Sequence, residues 1–262
     1  MLEIVYFIFI GGVAGVLAGL LGLGGGLVVV PLLAVMLGHL GFPSEEVMHV
    51  AVATSLGTIV LTSLSSAYAH HKRDAVQWRL VWLLGAGLMI GAFSASYIVD
   101  LLANTLLEII FIIYVLIVAY QLYFRLEAKA LRDLPKQGQL VGLGGIFGMV
   151  SGLLGIGGGT MIVPFLVWCN VTMHKAVATS SACGFFIALG AVTGFVSFAE
   201  PHVVLPDGSL GYLYLPALFT IGLVSVACAP LGAAWAHRVS TEKLKRYFSF
   251  VLLIMAGMLL LN

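Results

Sequence analysis

Residues 11–33 read GGVAGVLAGLLGLGGGLVVVPLL, and residues 144–166 read GGIFGMVSGLLGIGGGTMIVPFL. The two stretches align without a gap and share 13 of 23 positions, among them Gly22, Gly24, Gly25, Gly26 and Pro31 against Gly155, Gly157, Gly158, Gly159 and Pro164. Self-similarity of this kind marks a duplication. Downstream, His49–Ser55 reads HVAVATS and His174–Ser180 reads HKAVATS, after a connection eight residues shorter in the second copy. The most polar stretch, Arg125 to Lys136, separates the copies. This places a first repeat over 1–124, a solvated cytoplasmic linker over 125–136 and a second repeat over 137–262.

The solvent of these repeats follows from composition. Of the 262 residues 61% are hydrophobic and 9% charged, and the mean hydropathy is +1.13. No charge falls between Glu3 and Glu45, between Lys136 and Lys175, or between Asp207 and Arg238. Such runs exceed the roughly 20 residues a helix needs to cross a bilayer, and a soluble domain needs far more polar surface. The chain is therefore expected to be an all-α polytopic membrane protein of the cell (inner) membrane. Met1-Leu2-Glu3 lacks the positive region of a removable signal. The scattered Cys169, Cys183 and Cys228 read as small packing residues, not as a disulfide or metal framework.

Four apolar blocks fall in each half, near 4–38, 47–69, 78–100 and 104–124, then near 139–168, 174–199, 211–236 and 246–261. The first block of each half is too long for one crossing and holds four glycines in five positions, which a continuous helix tolerates poorly. Each is expected to break at GLGGG or GIGGG. If each long block crossed only once, Lys175, Arg238, Lys243, Lys245 and Arg246 would lie opposite the linker, five of the 12 basic residues. If each goes in and returns, all 12 share the cytoplasmic side, while Glu45, Glu46, Glu200 and Asp207 face out. That parity predicts two inverted repeats of about five helical segments each, with broken or re-entrant helices at the glycine motifs.

Inverted repeats with broken helices are the layout in which transporters build a midplane site, where half-helix N-termini offer amides and a positive dipole end to an anion. Gly24, Gly25 and Gly26 precede one such helical piece; Gly157, Gly158, Gly159 and Thr160 open the other. These glycines read either as an anion-binding break or as close-packing positions. For Gly11, Gly15 and Gly19, at four-residue spacing, packing is the better reading. Thr54, Ser55, Thr179 and Ser180 offer hydroxyls to substrate, or bond back to a backbone carbonyl. His49 and His174, near helix starts, are candidates for proton coupling, with helix capping as the alternative. No neighbouring acid is evident beside either. With no charged residue in the expected core, a neutral, amide-lined site favours a small anion over a cation.

Trp78, Trp82, Tyr6, Tyr120 and Tyr123 fall near segment ends, as interfacial aromatics do. His70-His71 gives only a weak metal signal, and the apolar stripe over 104–124 reads as lipid-facing or packing surface. No nucleophile–base pair, metal cluster or nucleotide motif suggests an enzyme. No catalytic residue, metal or cofactor is assigned.

The doubled GLLG[LI]GGG…VP block, followed in each half by H-x-A-V-A-T-S, resembles the TauE/SafE sulfite exporter family, also called the toluene sulfonate uptake permeases. The resemblance covers essentially the whole chain. It implies a membrane permease, an exporter, of sulfite or a related organosulfonate or sulfur oxyanion, working by alternating access. An anion channel of the same architecture and an importer of a different small anion are the alternatives. The implied partners are a small sulfur-containing anion and the lipid bilayer, with H+ or Na+ as a coupling ion, a homodimer as a candidate assembly, and no nucleic acid.

Overall fold

The computed structural model describes the backbone of residues 2–21, 25–124, 133–199, 205–236 and 241–261. Among them are ten helices: α1 (Leu2–Leu21), α2 (Gly26–His39), α3 (Val47–His71), α4 (Trp78–Asp100), α5 (Asn104–Tyr123), α6 (Gln137–Leu154), α7 (Gly159–Trp168), α8 (Met173–Phe198), α9 (Leu215–Ala236) and α10 (Thr241–Leu260). The protein is all-α and polytopic. Among the described residues five helices, α3, α4, α5, α6 and α8, are long and apolar enough to cross a bilayer. Exposed Ile90, Ile113, Ile117, Phe219 and Leu223 cover the outside of the bundle, a surface suited to hydrocarbon rather than water.

Both long apolar blocks divide at the glycine motif. In the second copy the break is explicit. Gly155 caps α6 at φ +69°, Gly158 precedes α7 at φ +74°, and both values lie in the left-handed region open to glycine. In the first copy, residues 22–24, and with them the expected site residue Gly24, lie outside the described residues. The pieces after the breaks, α2 and α7, have 14 and 10 residues. At 1.5 Å per residue they reach about 21 and 15 Å, short of a hydrocarbon core of about 30 Å. One block differs from expectation at its start. Residues 209–214 form a small antiparallel hairpin, Ser209–Leu210 (β1) with Leu213–Tyr214 (β2), before α9 begins at Leu215. Gly211 turns the hairpin at φ +56°, a feature that hydropathy alone cannot register.

Helix directions follow from which residues interlock. A side chain on Gly11 or Gly15 of α1 would strike α9 at Ile221 and Ser225, so α1 and α9 run parallel. Gly144, Gly148 and Gly152 of α6 lie against Leu84, Leu88 and Ala92 of α4, again in parallel. Gly57 and Leu61 of α3 meet Leu218 and Gly222 of α9 in the same sense. Met89 and Phe93 of α4 likewise meet Gly190 and Gly194 of α8. By contrast α3 and α8 run antiparallel. Gly184 faces Ser63 and Ile59, and the His70 and His174 rings lie 6.3 Å apart.

Corresponding helices of the two copies, α1 with α6, α3 with α8 and α4 with α9, therefore point in opposite directions. Each first helix also packs on the other copy's counterpart of α4. Small residues carry these seams because close backbone approach, not hydrophobic collapse, joins helices in lipid. The polarity sorts charge as well. Glu45, Glu46, Asp100 and Glu108 share one end of the bundle, whereas Lys72 and Arg73, just after α3, and Lys175, in the first turn of α8, lie at the other.

Candidate functional site

The two breaks touch. A side chain on Gly26 would run into the Gly155 carbonyl and the Ile156 Cα, so the start of α2 rests directly on the end of α6. Beside this contact lies a cavity of about 110 Å³, lined by Gly25 from the first break and by Gly157 and Gly159 from the second. Ser180, Ser181 and Gly184 of α8 form one wall; Thr58, Thr62, Ser63 and Ser66 of α3 form another. No Lys, Arg, Asp or Glu lines it among the described residues.

Donors and acceptors around this cavity are unequal. The first intrahelical bonds of α7 are made by the Met161 and Ile162 amides to the Gly158 carbonyl, at 3.1 and 2.8 Å. The Gly159 and Thr160 amides come before them, at the positively polarised end of the helix. In α2 the Val28 and Val29 amides both donate to the Gly25 carbonyl, at 3.0 and 2.9 Å, and the Gly26 and Leu27 amides precede them. The Thr58 hydroxyl donates to the Ser55 carbonyl at 2.7 Å, and Ser181 to the Val177 carbonyl at 3.0 Å. These hydroxyl hydrogens are thus committed to backbone. The Ser180 hydroxyl is different: it is buried and makes no hydrogen bond among the described residues.

The other repeated hydroxyls brace the fold. Thr54 accepts the Tyr214 amide at 3.0 Å, and Thr179 accepts the Gln77 amide at 3.1 Å. Tyr214 precedes α9 and Gln77 precedes α4, so each threonine secures the start of a corresponding helix, one across the repeats in each direction. Ser55 donates to the Gly155 carbonyl at 2.9 Å. Its counterpart Ser180 has no such tie. Thr160 sits behind the break, its hydroxyl 2.6 Å from the Tyr114 hydroxyl of α5. Gly158 packs against Ile187 and Ile162. Of the residues singled out in the sequence, Gly25, Gly157, Gly159 and Ser180 meet at the cavity, with Gly26 and Thr160 at its margins.

Thr58, Thr62 and Ser66 were not singled out, although four-residue spacing puts them on one face of α3. They form a polar line from the breaks toward the end that holds His70, Lys72 and Arg73.

The two histidines part company. His174 is exposed at the basic end, facing His70 and preceding Lys175. His49 is buried at the acidic end, 3.7 Å from the Glu46 carboxylate. That carboxylate, and Asp100 nearby, correct the expectation that no acid neighbours it. The Glu46–His49 spacing of three residues was the available signal, weakened because Glu46 caps α3 from outside the apolar run. His49 borders a wide vestibule of about 920 Å³ with Glu45, Asp100, Asn104, Glu108 and Tyr212 among its walls.

Apolar spans enclosing two broken helices that meet at a small, uncharged cavity define a multi-pass membrane transporter. The chain belongs to the sulfite exporter TauE/SafE family, whose model matches residues 7–259. A "probable membrane transporter protein" of Haemophilus influenzae is 32% identical over 251 residues, covering 95% of each chain. One of Methanocaldococcus jannaschii is 27% identical, covering 100% of this chain and 97% of its own. Another, YunE of Bacillus subtilis, is 27% identical, covering 99% and 98%. No solved structure matches the chain.

Proposed function

We propose that this transporter is an exporter of sulfite or a closely related sulfur oxyanion, carried by alternating access of two inverted repeats around the cavity where the breaks meet. The observation that carries the reading is the cavity lining: the unpartnered Ser180 hydroxyl and the backbone of Gly25, Gly157 and Gly159 at the two breaks, with no Lys, Arg, Asp or Glu among the described residues that line it. Buried amides and a neutral hydroxyl stabilise an anion through dipoles and hydrogen bonds worth more at low dielectric than in water. They offer little to a cation. The volume of about 110 Å³ suits an ion of a few non-hydrogen atoms, since one water needs about 10–15 Å³ on this measure.

The direction of transport draws support from the charge polarity. Basic residues belong on the cytoplasmic side, so Lys72, Arg73 and Lys175 would gather anions there. The Thr58–Thr62–Ser66 line then leads toward the breaks. At the outer end the carboxylates of the vestibule disfavour re-entry.

Purified protein in liposomes tests this. Sulfite efflux is expected to saturate, to exceed that of protein-free liposomes, and to be inhibited by thiosulfate or short sulfonates competing for one site. Flux that rises linearly with concentration would indicate a channel, and absence of flux for every sulfur oxyanion would remove the substrate assignment.

A further inference from the structure

His49 belongs to the repeated motifs but lies outside the anion site. Its Nε2 lies 3.0 Å from the carbonyl oxygens of both Val99 and Leu102, at the C-terminal end of α4. Carbonyls only accept, so Nε2 carries a hydrogen in either charge state. The proton that comes and goes must therefore be on Nδ1. That atom is buried, makes no hydrogen bond among the described residues, and sits 3.7 Å from the Glu46 carboxylate. A neutral imidazole there would turn its lone pair toward a carboxylate. A protonated one gains an ion pair and the negative end of the α4 dipole. The geometry thus suits a proton shared between Nδ1 and the Glu46 carboxylate.

Every element packed around it adds negative or neutral groups. Asp100 comes from the end of α4, Glu108 from α5, Glu45 from the loop before α3, and Tyr212 from the hairpin before α9. His39 at the end of α2 is the other titratable nitrogen at the vestibule, and no Lys or Arg lines it among the described residues. The cluster also spans the repeats. Tyr212, from the second copy, stacks on the His49 ring with centroids 5.5 Å apart and donates to Asp100 of the first copy at 2.9 Å. The counterpart His174 has a second imidazole and Lys175 as neighbours instead, and is exposed.

We propose that His49 and Glu46 form the proton-binding site of this carrier, reached from the acidic vestibule, and that His174 does not share this role. Proton occupancy changes the charge that faces Asp100 and Tyr212, where the two repeats are latched at the acidic end. Anion movement through the central cavity is thereby tied to proton movement.

The flux arm of the test rests on the carrier reading above, whereas a spectroscopic arm does not. In liposomes, singly charged bisulfite (HSO3−) is expected to redistribute about tenfold for each pH unit imposed, one proton travelling with each ion so that no net charge moves. In His49→Gln and Glu46→Gln the redistribution should vanish while sulfite exchange at equal pH persists. His174→Gln should behave as the unmodified protein. Redistribution that survives in His49→Gln overturns the proposal. The second arm is infrared difference spectroscopy of the unmodified protein, without any anion, between pH 8 and pH 5. It should reveal an imidazole protonation signal that is lost in His49→Gln and perturbed in Glu46→Gln. If that signal is present but no sulfur oxyanion moves, the proton site stands and the substrate assignment falls. If no His49-dependent signal appears, the proton site falls, whatever the flux.

Discussion

The Ser55 hydroxyl lies 2.9 Å from the Gly155 carbonyl and donates to it, fastening α3 of the first repeat to the glycine break of the second. Both groups are buried, and Gly155 is where α6 stops at φ +69°. The bond thus holds one wall of the cavity to the break that lines another. Ser55→Ala would leave that carbonyl without its partner, costing about 1–3 kcal/mol. Thermal unfolding in detergent should shift downward accordingly, and an unchanged melting temperature would show that water or another donor replaces the hydroxyl.

Ser180, the corresponding residue, should respond in the opposite way. Its hydroxyl makes no hydrogen bond among the described residues, so Ser180→Ala should leave the melting temperature unchanged. A hydrogen bond to an ion contributes about 1.5–3 kcal/mol, so half-saturation for the transported anion should rise by about ten- to a hundredfold. Unaltered saturation would take Ser180 out of the anion's contacts.

Gly25 and Gly155 separate occupancy of the cavity from integrity of the fold. A Cβ on Gly25 would sit 3.5 Å from the Ala14 Cβ, an ordinary contact, and its φ of −73° suits alanine. Gly25→Ala should therefore insert and fold normally while narrowing the cavity and slowing flux. Gly155→Ala meets both left-handed strain of about 1–2 kcal/mol and a Cβ 2.8 Å from Val30 Cγ2. It should yield poorly folded protein. Equal folding of the two variants would contradict this division.

Thr54 and Thr179 form a matched pair. Thr54→Val strands the Tyr214 amide and Thr179→Val strands the Gln77 amide, contacts of 3.0 and 3.1 Å. Each should cost about 1–3 kcal/mol, with the double substitution close to additive because the sites share no partner. Strong non-additivity, measured by thermal unfolding, would mean that the two helix starts move together.

The charge polarity predicts topology. A single cysteine at Ser44, beside the acidic vestibule, should be labelled by an impermeant thiol reagent from outside intact cells. One at Asp74, in the turn after α3, should be labelled only after permeabilisation. The reverse pattern would invert the direction assigned to transport.

Much of this protein was legible along the chain because lipid imposes one-dimensional rules. A span needs length and apolarity, a break needs glycine, and basic residues mark one side. The GLLG[LI]GGG copies, the blocks ending near 38, 69, 100 and 124, and the division of the long blocks all follow from these. The hairpin over 209–214 did not, since a pair of two-residue strands carries no periodic signal.

The site was only half visible. Composition and spacing determined the candidates, because side-chain chemistry and repetition are properties of sequence. Which candidates face the cavity depends on contacts between residues far apart in the chain. Thr54, Ser55, Thr179 and Ser180 are alike in sequence, yet Tyr214, Gly155 and Gln77 engage three of them and leave Ser180 at the cavity. The equivalent histidines diverge for the same reason. Antiparallel packing of α3 and α8 carries His49 to the carboxylate-rich end and His174 to the basic one, a distinction that only the folded arrangement of the two copies creates.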